Sequence, residues 1–266
     1  MADDTKDGGF KVDIDLYEKG RPKYTKESVE YLLKQVGVLG KDNDSALTIL
    51  ELGAGTGMFT KVLVEALKGF PKIRIIASDP QLSMLEKLKK NIQGIEAMQF
   101  LAEKIPFPDE SIDIVIAAQC FHWFANAQSV AEIHRVLVPR GTFGMIWNSR
   151  NRGVDWVVKT QKIIAPYLRR DNNPNNLDNT WMEPIKSSQL FGELQGNTDL
   201  CLDHEGSADD IINTIMCISS ITKCTDEEKK DIKSKILDVL TNHPDLKGLT
   251  KFKLPYIVPI YWCTKR

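Results

Sequence analysis

Residues 51–57 read ELGAGTG, closing the apolar run LTILEL of 47–52 and preceding a helical pattern that runs through Lys68. A short apolar run, a glycine-rich turn and a helix make the first strand–turn–helix unit of a nucleotide-binding sheet. The glycines let the backbone turn tightly and approach a ligand with no Cβ in the way. Their spacing is Gly53-x-Gly55-x-Gly57, whereas the dinucleotide fingerprint asks for G-x-G-x-x-G. Glu51 beside the loop disfavours a pyrophosphate and suits a cationic ligand. A phosphate-cradling Walker loop is excluded, because no Gly-Lys-Ser/Thr follows. Asp79 ends the next apolar run, RIIASD (74–79), 22 positions after Gly57. An acid there can bind both hydroxyls of a ribose.

Outward from this unit the chain alternates. A helix is expected over 25–35, strands at 47–52, 74–79, 98–101, 112–118 and 141–148, and helices at 82–91 and 127–137. Strands separated by helix-length segments imply right-handed crossovers, hence an α/β, doubly wound, mostly parallel sheet with helices on both faces. The rhythm breaks after Asn148. A helix is expected near 154–168, followed by the Asn-rich loop RRDNNPNNLDN (169–179). SADD (207–210) and TDEE (225–228) mark two further helix starts. KLPYIVPIYWC (253–263) reads as one terminal strand, with Pro255 and Pro259 arguing against a central place. The expected organisation is an N-terminal lid (1–24), a cofactor-binding core (25–150), a cap (151–250) and a C-terminal strand (251–266) returning to the core sheet.

Composition bounds the function. The 266 residues hold 35 basic and 36 acidic side chains, net −1. A balance this even gives no global field for nucleic acid or an anionic membrane surface. No apolar run approaches the roughly 20 residues of a membrane span, and the polar N-terminus is no secretory or transit signal. Five scattered cysteines (120, 201, 217, 224, 263) without a CxxC pair suit a reducing compartment and argue against a disulfide frame or structural zinc. The expectation is a cytoplasmic protein without a metal.

ELGAGTG, the SDP of 78–80, AEKIPFPDESID (102–113), FHWF (121–124) and IHRVLVPRGTF (133–143) together resemble class I S-adenosylmethionine-dependent methyltransferases of the type 11 domain. The closest resemblance is to small-molecule enzymes of the trans-aconitate methyltransferase kind. YEKGRPKY (17–24) resembles their N-terminal Tyr…Arg-Pro-x-Tyr segment. The likeness covers 17 to about 150 well and 175–240 loosely, and Thr25 replaces the proline familiar after that segment. It implies a seven-stranded Rossmann-like sheet, last strand antiparallel, with a helical cap inserted after the fifth strand. It also implies S-adenosyl-L-methionine as cofactor and S-adenosyl-L-homocysteine as product. Gly53, Gly55 and Gly57 would pass under the methionyl and ribose portions, with Glu51 near the cationic end and Asp79 on the ribose. Pro80 and Met84 would wall the adenine, Ala102 and Glu103 meet its edge, and Gln119 face the methionyl part. Tyr17 and Arg21 would close over the cofactor. The acceptor pocket is expected from Tyr24, His122, Trp123, Asn148 and Trp181.

Methyl transfer from a sulfonium is an in-line displacement in which positioning does most of the work. A base is needed only for an acceptor that arrives protonated, such as a phenol or alcohol, and not for a carboxylate. His122 has the type and place for a base. The alternative is that it only positions the acceptor. Arg150 and Arg152 could meet an acidic acceptor, and Cys120 reads as a buried thiol. The function expected is methyl transfer to a small-molecule carboxylate or hydroxyl/phenol oxygen, by a monomer or weak homodimer. The competing readings are an NAD(P)-dependent oxidoreductase on a related sheet and a non-catalytic cofactor-binding protein. No Asn/Asp-Pro-Pro-Tyr motif follows the fourth strand, which disfavours nucleic-acid methylation.

Overall fold

The computed structural model describes residues 18–40, 46–171, 173–174 and 177–266. In chain order, α1 spans Lys26–Gln35, β1 Leu47–Leu52, α2 Met58–Ala66, β2 Ile73–Ser78 and α3 Leu82–Asn91. Then come β3 (Glu96–Met98), β4 (Ile112–Ala118), α4 (Ala127–Val136) and β5 (Leu137–Ile146). β6 (Ser149–Arg150), α5 (Asp155–Asp171), α6 (Glu183–Ser188), β7 (Gln195–Asn197) and β8 (Cys201–Gly206) follow. The chain closes with α7 (Ala208–Met216), α8 (Ser219–Thr222), α9 (Asp226–Asn242), β9 (Phe252–Ile257) and β10 (Ile260–Thr264).

The chain divides into two compact units, each with its own core. The first contains Tyr24–Trp147, Pro174–Leu200 and Val258–Arg266. Its seven-stranded sheet runs β3-β2-β1-β4-β5-β10-β7. The strands from β3 to β5 pair in parallel, and β10 runs antiparallel to both its neighbours. Successive side chains of β5 show why both faces must be covered. Gly144 leaves room for Leu32 and Val36 of the α1 region, which lie 2.9 and 2.8 Å from where its Cβ would be. Phe143 turns the other way, into the cluster holding Val130 and Ile133 of α4. The strand order reverses between β1 and β4, and ligands bind beyond the carboxyl ends of the strands at such a switch point.

Among the described residues, the second unit contains Glu18 to Lys23, Asn148–Asn173 and Cys201–Ile257. Its helices α5, α7 and α9 bury Trp156, Val157, Ile164, Ile211, Ile215, Ile232 and Ile236. Both capping boxes form, with Ser207 and Thr225 as the caps. This unit also holds a three-stranded antiparallel sheet, β6-β9-β8, where sequence reading expected helices alone.

Three elements depart from expectation. The short strand lies at 96–98, not 98–101, and the fifth strand at 137–146, not 141–148. The terminal run is two strands, split at Val258-Pro259 and shared between the two sheets. β9 is central in its sheet despite Pro255. That carbonyl accepts from Asn151 N, so the missing N–H would point to the same side, past the end of the two-residue β6.

Candidate active site

Glu51 is the last residue but one of β1 and is fully buried. Thr60, in the first turn of α2, donates its hydroxyl to Glu51 Oε2 at 2.7 Å. Oε1 is buried with no partner among the described residues. Burial pushes this carboxyl up to about 8, and the nearby Asp79 carboxylate pushes the same way. A carboxyl so placed is held protonated at neutral pH until a cation or donor reaches Oε1.

The glycine loop follows. Gly55 has φ +56 and open space where a Cβ would be, and its N–H donates to Asp79 Oδ2 at 2.9 Å. Gly53, at φ +65, is a close approach instead: a Cβ there would stand 2.7 Å from Cys120 Sγ. Gly57, with φ +86, is the N-cap of α2. The hydroxyl of Thr56 is a second buried oxygen without a partner among the described residues.

Asp79 follows β2 and is 8% exposed. Gly55 N–H holds Oδ2 and Gln81 N–H holds Oδ1, both at 2.9 Å, so the carboxylate plane is set by backbone. Burial raises its pKa, and those two donors lower it again. Each oxygen keeps a further lone pair for a ligand hydroxyl.

β4 ends opposite. Gln119 adopts φ +63, an unusual conformation for a residue with a Cβ, and its N–H reaches Ile146 O. The thiol of Cys120 donates to Leu52 O at 3.1 Å, tying the ends of β4 and β1. Burial, Asp79 and Glu51 push that thiol well above its ordinary range, so it packs and does not react. His122 lies in the single 3-10 turn Phe121–Trp123. The indole Nε1 of Trp147 donates to His122 Nδ1 at 3.2 Å. Indole nitrogen is a donor only, so Nδ1 is the acceptor and the neutral ring carries its proton on Nε2.

The other residues sort as follows. Met84 and Ala102 are buried, and Pro80 is exposed, with its carbonyl accepting from Gln99 Nε2. The Glu103 side chain accepts from Asn126, the N-cap of α4. Tyr24 packs edge-on to Phe59. Trp123 is 41% exposed. Trp181 is 3% exposed, stacked with Trp147 at 4.7 Å and close to Phe121 and Tyr261. Arg21 and Asn148 belong to the second unit, where Asn148 Nδ2 donates to Pro22 O. Tyr17 lies outside the described residues. The first unit thus brings together Glu51, Gly53, Gly55, Asp79, Gln119 and Cys120. Sequence reading missed Thr60 and Trp147. The signal for Trp147 was its place at the carboxyl end of the fifth strand, opposite FHWF. Among the described residues no group of His, Cys, Asp and Glu could hold a metal ion, and no helix is long and apolar enough to cross a membrane.

A sequence profile described as a methyltransferase domain matches residues 50–145, from β1 through nearly all of β5. An uncharacterized methyltransferase-like protein of Schizosaccharomyces pombe is 34% identical over 251 residues, 93% of this chain and 91% of that protein. Two solved structures share the fold. One, assigned as a methyltransferase of an antibiotic biosynthesis pathway in Anabaena variabilis, has a TM-score of 0.64 and 16% identity. That match covers 91% of this chain and 98% of the other. The second is phosphoethanolamine N-methyltransferase 2 of Haemonchus contortus in complex with S-adenosyl-L-methionine, with a TM-score of 0.56 and 14% identity. It covers 95% of this chain and 56% of that one. The sequence likeness spans more than nine-tenths of both chains, and the methyltransferase-domain profile lies within it. The chain therefore belongs to the class I S-adenosylmethionine-dependent methyltransferase family.

Proposed function

We propose that this protein transfers the methyl group of S-adenosyl-L-methionine to a carboxylate oxygen of a small-molecule acceptor. The observation that carries the cofactor assignment is Glu51 Oε1, a buried oxygen left without a partner beside a glycine loop open at Gly55. That donor set fits a ligand with a cationic end. The glycine spacing Gly53-x-Gly55-x-Gly57 departs from the dinucleotide fingerprint G-x-G-x-x-G, and this is the argument against a nicotinamide-dependent oxidoreductase. When bound, the cofactor supplies an electrophilic sulfonium methyl and leaves as S-adenosyl-L-homocysteine.

The remaining work falls to the chain's own residues. Asp79, fixed by two backbone donors, holds the ribose hydroxyls. Met84 and Ala102 line the base, with Pro80 and Glu103 at its edge. Gln119 faces the methionyl part from the lip of β4. Tyr24, Trp123 and Trp181 complete the acceptor surroundings within the first unit. His122 decides the acceptor class. Its Nδ1 lone pair is taken by Trp147, so the ring offers an N–H and no basic lone pair. An N–H donor orients an oxygen that is already an anion, and a carboxylate needs no base. A phenol or alcohol would need the proton acceptor that this tautomer lacks.

The test is direct. S-adenosyl-L-homocysteine should raise the melting temperature and bind stoichiometrically, while NAD should do neither. A carboxylic acid panel incubated with S-adenosyl-L-methionine should yield methyl esters, and a panel of phenols should yield no ethers. Stabilisation by NAD alone would refute the cofactor reading. Phenol ethers without esters would refute the acceptor reading.

A further inference from the structure

The antiparallel sheet of the second unit carries two basic side chains on one face. Arg150 of β6 stands opposite Tyr256 of β9, and Tyr256 opposite Leu202 of β8. His204 is two residues beyond Leu202, so Arg150 and His204 project to the same side. That side meets α7: Arg150 Nη2 donates to Thr214 O at 2.7 Å, with Thr214 Oγ1 at 3.4 Å.

Each side chain holds one buried nitrogen with nothing to bond. Arg150 Nε and His204 Nε2 have no hydrogen-bond partner among the described residues. Arg150 also lacks a carboxylate partner, since the ion pairs among the described residues do not include it. The acid that acts on His204 is Asp210, and its Oδ2 is already taken by the backbone N–H and hydroxyl of Ser207 in the capping box of α7. Exposed Lys23 adds a further positive charge near His204. A guanidinium drawn partly out of water, with its inner N–H unsatisfied, is an unfavourable arrangement for packing alone. An oxyanion between the two nitrogens removes both deficits at once.

We propose that Arg150 and His204 form a binding site for a carboxylate group, Arg150 Nε–H and His204 Nε2–H each donating to one oxygen. Two buried donors match the two oxygens of a carboxylate, whereas a phosphate would present a third oxygen without a donor. The carboxylate has two sources: it belongs to the methyl acceptor, or it is a free anion that binds without being methylated.

Titration calorimetry of the full chain with succinate, in the presence of S-adenosyl-L-homocysteine, reads the site without turnover. Saturable binding is expected. Arg150→Met, which keeps the apolar stem and removes every guanidinium donor, should weaken it at least tenfold, and His204→Phe, which keeps a ring and removes its N–H, about threefold or more. Lys230→Gln, exposed on α9, should leave it unchanged. Absence of saturable succinate binding overturns the proposal. So does unaltered affinity in His204→Phe and in an Arg150→Met protein with a native circular dichroism spectrum. Binding of inorganic phosphate with exclusion of succinate overturns the carboxylate assignment. Incubating the bound acid with S-adenosyl-L-methionine then separates the sources: a methyl ester marks the acceptor's carboxylate, and unchanged acid marks a separate anion ligand. Since calorimetry does not depend on methyl transfer, a protein that fails to methylate anything can still bear out this site.

Discussion

Trp147 Nε1 donates to His122 Nδ1 across 3.2 Å, and that bond selects which nitrogen of the imidazole carries the proton. Trp147 is 1% exposed and stacked on Trp181, so the donor cannot swing aside without disturbing the core of the first unit. A proton on Nδ1 would set two N–H donors against each other. Nitrogen-15 correlation spectra of the His122 ring should therefore show a pyridine-type Nδ1 and a pyrrole-type Nε2. In Trp147→Phe the two tautomers should mix. If the wild-type ring already shows Nδ1–H, the Trp147 bond does not fix the tautomer and the carboxylate reading loses its support. In turnover, His122→Gln keeps an N–H donor and should retain more activity than His122→Ala, with little change in the pH profile.

Glu51 makes stability depend on pH in an unusual direction for a carboxyl. Its folded pKa is raised from 4.5 to about 8, so the fold favours the protonated form. That contribution is complete below about pH 4.5 and is lost as pH climbs through about 8, for a total on the order of a few kcal/mol. In ligand-free protein, Glu51→Gln should melt at nearly the wild-type temperature at pH 5 and several degrees above it at pH 8.5. The glutamine can still accept from Thr60. Parallel curves of melting temperature against pH would mean that Glu51 is ionised in the folded protein. The same substitution should weaken binding of S-adenosyl-L-homocysteine, because stability and ligand binding draw on the same oxygen.

Asp79 couples the glycine loop to the start of α3 through Gly55 N–H and Gln81 N–H. Asp79→Ala removes the acceptor of both and, on the proposed reading, the charged partner of the ribose. Affinity for S-adenosyl-L-homocysteine should fall by on the order of 1–3 kcal/mol. Asp79→Asn keeps one carbonyl acceptor and should fall between alanine and wild type. Calorimetric titration of the three proteins gives the order. Equal affinities would place the ribose elsewhere.

The first unit was legible because each of its signals is local. LTILEL is long enough to be a buried strand, the glycines after it have a turn to make, and Asp79 sits where the next strand must end. What was not legible depends on residues distant in sequence. Pro255 argued against a central strand, but its missing donor faces the end of a two-residue strand more than 100 positions earlier, a fact of register and not of composition. KLPYIVPIYWC carries no charge after Lys253, so hydropathy gives no sign that Val258-Pro259 divides it between two sheets. His122 was visible as a histidine in an apolar run, yet its chemistry is set by Trp147, 25 residues away. Arg150 and His204 are neighbours only through β9.

Gly53 is the position where loop geometry and side-chain packing meet. A Cβ there would lie 2.7 Å from Cys120 Sγ and 2.9 Å from Cys120 Cβ, at φ +65. Gly53→Ala therefore has two costs, a left-handed backbone that disfavours a side chain and an overlap with β4's lip. Destabilisation on the order of 2–4 kcal/mol is expected. Cys120→Ala removes the sulfur but leaves the 2.9 Å contact and the positive φ, so Gly53→Ala/Cys120→Ala should recover only part of the loss. Chemical denaturation of the four proteins closes a double-mutant cycle whose coupling measures the sulfur overlap alone. Zero coupling would mean that the ends of β1 and β4 can separate. In that case the Cys120–Leu52 hydrogen bond does not hold the candidate site together.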